Sequence, residues 1–286
     1  VPLVGVFIMI AWGAADLFAK SRHRQWILGA GAALCILVCI TVSSAQVGHW
    51  KNTTTIFSHS VRVTENNNVA HTNLGLSLLE SGKTDEAISH FLEAIRIQPK
   101  GKFAQCNLGN AYRQKNDPTK AIYHYEKALS IDPKYVNANY NLANVYLELN
   151  KLDLCEKFFL KTIENDRRNY RAHLNLAAAY SIMGKSAEAI AHLRASITIQ
   201  PDNHLAYCRL GLEYLRLEDL EQAELNCNKA LQIKPNFEQA HYGLGMIMMR
   251  RKNYDEAIRH FSRALEINPG YEEARQSIEE TRQKEM

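Results

Sequence analysis

The sequence repeats itself. Asn73-Leu74-Gly75, Asn107-Leu108-Gly109, Asn141-Leu142-Ala143 and Asn175-Leu176-Ala177 follow one another at steps of 34 residues, since 107−73, 141−107 and 175−141 all equal 34. A fixed period of a few tens of residues constrains the fold more than any overall composition. Each copy is one small supersecondary unit that cannot bury its apolar face alone, so neighbours must stack to share a core.

With Asn68 as position 1, position 7 is Leu74, Leu108, Leu142, Leu176, Leu210 and Leu244. Position 8 is small (Gly75, Gly109, Ala143, Ala177, Gly211, Gly245), as a close crossing of two helices requires. Position 20 is Ala87, Ala121, Cys155, Ala189, Ala223 and Ala257, and position 24 holds the bulk, as in Phe91, Tyr125, Phe159 and Phe261. Position 32 is Pro99, Pro133, Arg167, Pro201, Pro235 and Pro269, where a ring without N–H stops a helix. Arg167 departs from that pattern and is expected to leave its repeat's end less defined. The copies occupy 68–101, 102–135, 136–169, 170–203, 204–237 and 238–271. In this register the chain resembles the tetratricopeptide repeats. The resemblance implies helix–turn–helix units, a right-handed superhelix, and a concave groove that binds other proteins.

The flanks differ from the array. Residues 46–67 are read as a linker with a lone half-repeat helix in 50–65 shielding the first repeat. Residues 272–286, rich in Glu, Arg, Lys and Gln, are read as a polar capping helix. Segments 1–19 and 27–45 are strongly apolar, the second without any charge, and about 19 residues span roughly 28 Å. Both are expected to be transmembrane helices joined by a basic cytoplasmic turn at 20–26 with Lys20, Arg22 and Arg24. The bias of three basic residues there against Lys51 and Arg62 beyond places the repeats on the extracytoplasmic, periplasmic side. The start at Val1 rather than Met reads as a piece of a longer chain. The expected architecture is all-α: two transmembrane helices, six repeats in a superhelix, and a capping helix.

Several apparent motifs dissolve in the register. The net charge of +4 comes without a Lys/Arg run, so no nucleic-acid surface is expected. Gly82-Lys83-Thr84 and Gly184-Lys185-Ser186 resemble the end of a phosphate loop. Ser77 and Ala179 stand where its first glycine belongs, and both triplets fall in the turn at positions 15–17. His71, His173 and His241 recur at position 4, and His90, His124, His192 and His260 at position 23. Residues one repeat apart cannot converge on one ion, so packing rather than metal binding is expected. Cys106, Cys155, Cys208 and Cys227 substitute within the repeat and form no disulfide framework. No catalytic constellation, metal or cofactor is expected.

Function is expected in the groove, toward which positions 2, 5, 6, 9, 12 and 13 point. Position 6 reads Asn73, Asn107, Asn141 and Asn175, then Arg209 and Gly243, and Asn110 and Asn144 at position 9 extend the polar row. Asn is a poor mid-helix residue, and a side-chain amide can pair bidentately with a peptide unit. Repeated amides would hold an extended segment by its backbone. Arg209, Arg216 and Arg250, with Tyr242, make the far half basic and suggest an acidic stretch in the partner.

The Asn-Leu-Gly/Ala phrase is similar to the repeats of O-linked N-acetylglucosamine transferases, where an asparagine ladder grips extended substrate peptides. That resemblance implies the same role for Asn73, Asn107, Asn141 and Asn175. Val1-Pro2-Leu3-Val4-Gly5, the apolar pair, His49-Trp50-Lys51-Asn52 and Ile56-Phe57 resemble bacterial relatives of transmembrane-and-TPR O-mannosyltransferases, which implies catalytic membrane spans upstream of Val1. The expected function is a membrane-anchored scaffold that binds an extended or unfolded protein segment, with self-association as a further possibility. The alternative is the acceptor-selecting end of a membrane glycosyltransferase.

Overall fold

The computed structural model describes residues 22–50 and 52–285, and all its regular structure is helical. It divides into two units, 1–97 and 98–286. The first unit holds α1 (Arg24–His49), α2 (Thr53–Val63), α3 (Asn68–Glu80) and α4 (Thr84–Ile97). The second holds α5 (Lys102–Gln114), α6 (Pro118–Ile131), α7 (Val136–Glu148), α8 (Leu152–Asn165), α9 (Tyr170–Ile182) and α10 (Ser186–Ile199). It continues with α11 (His204–Arg216), α12 (Leu220–Ile233), α13 (Glu238–Arg250), α14 (Tyr254–Ile267) and α15 (Glu272–Glu285). Within that unit each helix packs on the next in sequence order.

The pairing of helices follows from the small residue at position 8. A Cβ on Gly109 would lie 2.6 Å from the Tyr125 ring, and one on Gly245 would lie 2.5 Å from Phe261. Helices that approach so closely exclude water from Leu108, Tyr125, Leu142, Phe159 and Leu176, which are all fully buried.

The turn inside each repeat is equally constrained. Position 15 adopts a left-handed backbone in all six copies: Gly82 (φ 77°), Asn116 (57°), Asn150 (54°), Gly184 (73°), Glu218 (59°) and Lys252 (61°). The next residue's N–H then bonds back to the carbonyl at position 11, as in Asp117 to Tyr112 (2.9 Å) and Asn253 to Met248 (2.9 Å). This closes the end of the first helix and satisfies a carbonyl that would otherwise lack a donor. The two Gly-Lys triplets are therefore turns.

Second helices end in one register, at Ile97, Ile131, Asn165, Ile199, Ile233 and Ile267. Arg167 does not blur that boundary. The Asp166 N–H bonds Thr162 O and the Asp166 carboxylate accepts from the Arg168 N–H, so a capping carboxylate ends the helix where proline is missing. At the flanks, Asn52 caps α2 through a reciprocal bond pair with Thr55, and Thr54 meets Ser77 at 2.6 Å between hydroxyls. Along α15, Ala274, Ser277 and Thr281 are buried, and the rest of its described surface is mostly charged.

The two expected transmembrane helices require correction. Residues 1–19 lie outside the described residues. Among the described residues, no helix is long and apolar enough to cross a membrane. The second expected span, 27–45, falls inside α1, which starts at Arg24 and runs on to His49. The inference of cytoplasmic turn and periplasmic array needed two spans, so that localisation is withdrawn with them.

Lys252 holds a left-handed backbone that costs an L-residue about 1–2 kcal/mol. Lys252→Gly is expected to raise stability by about 0.5–1 kcal/mol after the added freedom of the unfolded chain is subtracted. Thermal or denaturant unfolding of the variant measures the gain.

Candidate peptide-binding groove

In the second unit the asparagines of positions 6 and 9 form a bonded row between successive first helices. The Asn141 amide donates to Asn110 Oδ1 at 2.9 Å and touches Cys106 Sγ at 3.8 Å. One repeat later, the Asn175 amide donates to Asn144 Oδ1 at 2.9 Å and to the Tyr140 hydroxyl at 3.1 Å. The Tyr125 hydroxyl, itself buried, donates to Asn110 Oδ1 at 2.7 Å. The Asn141 and Asn175 amides therefore direct both N–H groups backward onto the preceding repeat, leaving Oδ1 as the open end. This revises the expected bidentate pairing: Asn141 and Asn175 present acceptors, suited to the N–H groups of an extended chain. Asn141 and Asn110 also line an open depression with Arg113 and Glu148, which are themselves paired at 2.5 Å. Asn107 lies half-buried on α5, and Asn73 lies in the first unit on α3.

The distal half is not the free basic face expected. Arg209, at position 6, repeats the backward reach of the asparagines and donates to Leu174 O at 3.2 Å. Burial lowers its pKa from the ordinary guanidinium value. Arg216 donates to Ser181 O (2.9 Å) and Ser181 Oγ (3.0 Å) and meets Glu213 at 3.3 Å. Arg250 pairs with Glu218. Tyr242 is partly buried and packs against a core cluster, its ring 5.6 Å from Phe261 and 5.2 Å from Tyr271. Glu213, which sequence reading passed over, is only 3% exposed. The signal was present: position 10 otherwise carries Ser77, Ala111, Val145, Ala179 and Ile247.

The periodic histidines pair within their own repeats. Nδ1 atoms meet at 3.1 Å for His71–His90, 2.9 Å for His173–His192 and 3.4 Å for His241–His260, and Gln105 takes the same place opposite His124 at 2.9 Å. Among the described residues no group of three or more His, Cys, Asp or Glu could hold a metal ion. Cys106 and Cys208 face inward and are buried, with burial pushing both thiols up to about 12. They pack as small apolar groups, so the expectation that position 5 exposes them to the groove is corrected.

Four family models described as tetratricopeptide repeat match residues 69–100, 136–169, 158–191, 204–237 and 238–271, and a further TPR repeat model matches 109–150. The chain belongs to the tetratricopeptide repeat family. No curated protein matches it. Among solved structures, the Cut9–Hcn1 hetero-tetramer of APC/C is similar at TM-score 0.66 and 17% identity over 79% of this chain, which spans 45% of that chain. YrrB, described as a TPR protein with an unusual peptide-binding site, aligns at TM-score 0.56 and 20% identity over 65% of this chain and 96% of its own. MamA aligns at TM-score 0.53 and 27% identity over 57% of this chain and 95% of its own. The low identities speak for the repeat fold and not for a shared ligand.

The imidazole pairs make TPR stability sensitive to acid. Each Nδ1···Nδ1 contact needs one ring to accept, so two imidazolium rings cannot share it. Burial is the main cause that lowers His90, His173, His192, His241 and His260 below the ordinary 6.5. The unfolded chain therefore binds these protons first. Stability is complete above about pH 6.5 and falls as pH drops through the lower folded values, while Asp117 and Asp132, held below the usual carboxylate range, stay ionised. His173→Gln with His241→Gln, copying Gln105, is expected to flatten the fall in melting temperature between pH 7 and about pH 5. Calorimetry at the two pH values checks it.

Proposed function

We propose that this TPR protein is an interaction scaffold whose groove in repeats two to five holds an extended segment of another protein by its main chain. The observation that carries the reading is the orientation of Asn141 and Asn175. Their N–H groups are engaged by the preceding repeat, so two rigidly held carbonyl oxygens recur one repeat apart. Acceptors held from behind lose little side-chain freedom when a ligand arrives. They also select for backbone N–H groups, which every residue but proline carries, and so tolerate many sequences. The likeness of the Asn-Leu-Gly/Ala phrase to a ladder that grips extended peptides supports the same use. So does the fold shared with YrrB, whose description names a peptide-binding site.

The acidic stretch expected in the partner has weaker support, because Arg216 and Arg250 each have an internal carboxylate. Among the described residues nothing favours the accessory-glycosyltransferase alternative.

The test uses reduced, carboxymethylated lactalbumin, a permanently unfolded chain, as probe in fluorescence anisotropy. Asn141→Ala with Asn175→Ala removes two contacts of about 0.5–1.5 kcal/mol each and is expected to weaken binding about 5- to 150-fold. The loss should persist in high salt, since no charge is removed. Alanine is the better helix former, which limits the effect on folding to the loss of the inter-repeat bonds. Equal binding by variant and parent would refute the ladder.

A further inference from the structure

Beyond the ladder, α9, α10 and α11 line a half-open cavity of about 230 Å³ with polar and apolar walls. Ala177, Ala178, Ile182, Leu193 and Leu212 supply the apolar part, and Arg209, Glu213 and Arg216 the polar part. The volume is below that of pockets for drug-sized ligands and suits a single side chain or one peptide unit. Arg209 and Glu213 stand four residues apart on α11, so they share one face a helical turn apart.

Glu213 is the unexplained group. Its Oε1 accepts from Ser181 Oγ at 2.5 Å and from Arg216 Nη1 at 3.3 Å. Its Oε2 is buried and has no hydrogen-bond partner. A buried acceptor without a donor is costly, and such a group in a native fold calls for a partner. Arg209 makes a single bond, to Leu174 O, so its guanidinium keeps further donors.

Charge decides what can enter. An added carboxylate would satisfy Arg209 but lie beside Glu213. An added ammonium would satisfy Glu213 but lie between two guanidinium groups. A neutral amide meets both needs at once, its oxygen accepting from Arg209 and its N–H donating to Glu213. We propose that this cavity is a carboxamide subsite, resting on the groove reading above and filled by the bound segment. Arg209 and Glu213 together then do in repeat five what asparagine does in repeats three and four, with donor and acceptor on separate side chains. The amide comes from a Gln or Asn side chain or from the main chain, and the two sources give different results.

Fluorescein-labelled nine-residue Ala/Ser peptides with one central Gln, Glu, Lys or Leu are titrated with the full chain by anisotropy. The Gln peptide is expected to bind about tenfold tighter than the other three, as one charge-assisted bond implies. Glu213→Ala should abolish the preference. Ala178→Leu, which fills the cavity from a half-exposed wall position, should do the same if Glu213→Ala fails to fold. If all four peptides bind alike and both variants weaken all of them equally, the amide is the main chain and the subsite stands. A preference for Glu or for Lys overturns it, as does binding that Asn141→Ala weakens but both cavity variants leave unchanged. In that last case the groove reading survives alone. If no peptide binds, the groove reading fails and the subsite fails with it.

Discussion

Where Gly109 passes Tyr125, the paired helices approach until a Cβ has no room, and the same contact recurs as Gly245 against Phe261. That approach sets the geometry of the repeat. It buries the ring at position 24, fixes which face of the first helix is left over, and turns that face toward the next copy. Repeats three and four reach the same end with Ala143 and Ala177 opposite Phe159 and Leu193, all buried. In these two repeats a methyl at position 8 is accommodated and the interface stays fully buried, so its density is kept with different pieces.

A groove follows from the leftover face. Position-6 side chains reach back along one vector to the residue 35 before: Asn141 to Cys106, Asn175 to Tyr140, Arg209 to Leu174. This common reach ties neighbouring first helices together and points the remaining polar ends into the depression. Recognition and stability are therefore coupled in the same side chains. Exposed ion pairs such as Arg96–Glu93 and Arg263–Glu266 contribute little beside these partly buried neutral bonds.

The 34-residue period made the repeat fold legible because each structural need recurs at a fixed address: small at position 8, bulky at position 24, a turn at positions 15–17. The groove was legible only in part. Asn141 and Asn175 stand out by recurrence, but which way their amides turn depends on Asn110, Asn144 and Tyr140 in the preceding copy, and no single-residue pattern encodes it. Arg209 and Arg216 read as a basic face because sequence counts charges without their partners. Leu174 O is the partner of Arg209, and Glu213 with the Ser181 carbonyl are those of Arg216. The membrane reading rested on the length of two apolar segments, the charge bias of their flanks and a resemblance. Among the described residues no helix carries it.

If the asparagine carbonyls accept main-chain N–H groups, replacing a peptide N–H by an ester oxygen must interact with the loss of an asparagine. The most direct measurement is a cycle between an Ala/Ser peptide with a single backbone ester and the Asn141→Ala variant, read as affinity. The ladder predicts that the ester weakens binding to the parent about 2- to 13-fold and has little effect on the variant, since the bond is already gone. An ester effect of the same size on parent and variant, at every position along the peptide, would show that Asn141 does not touch the bound main chain.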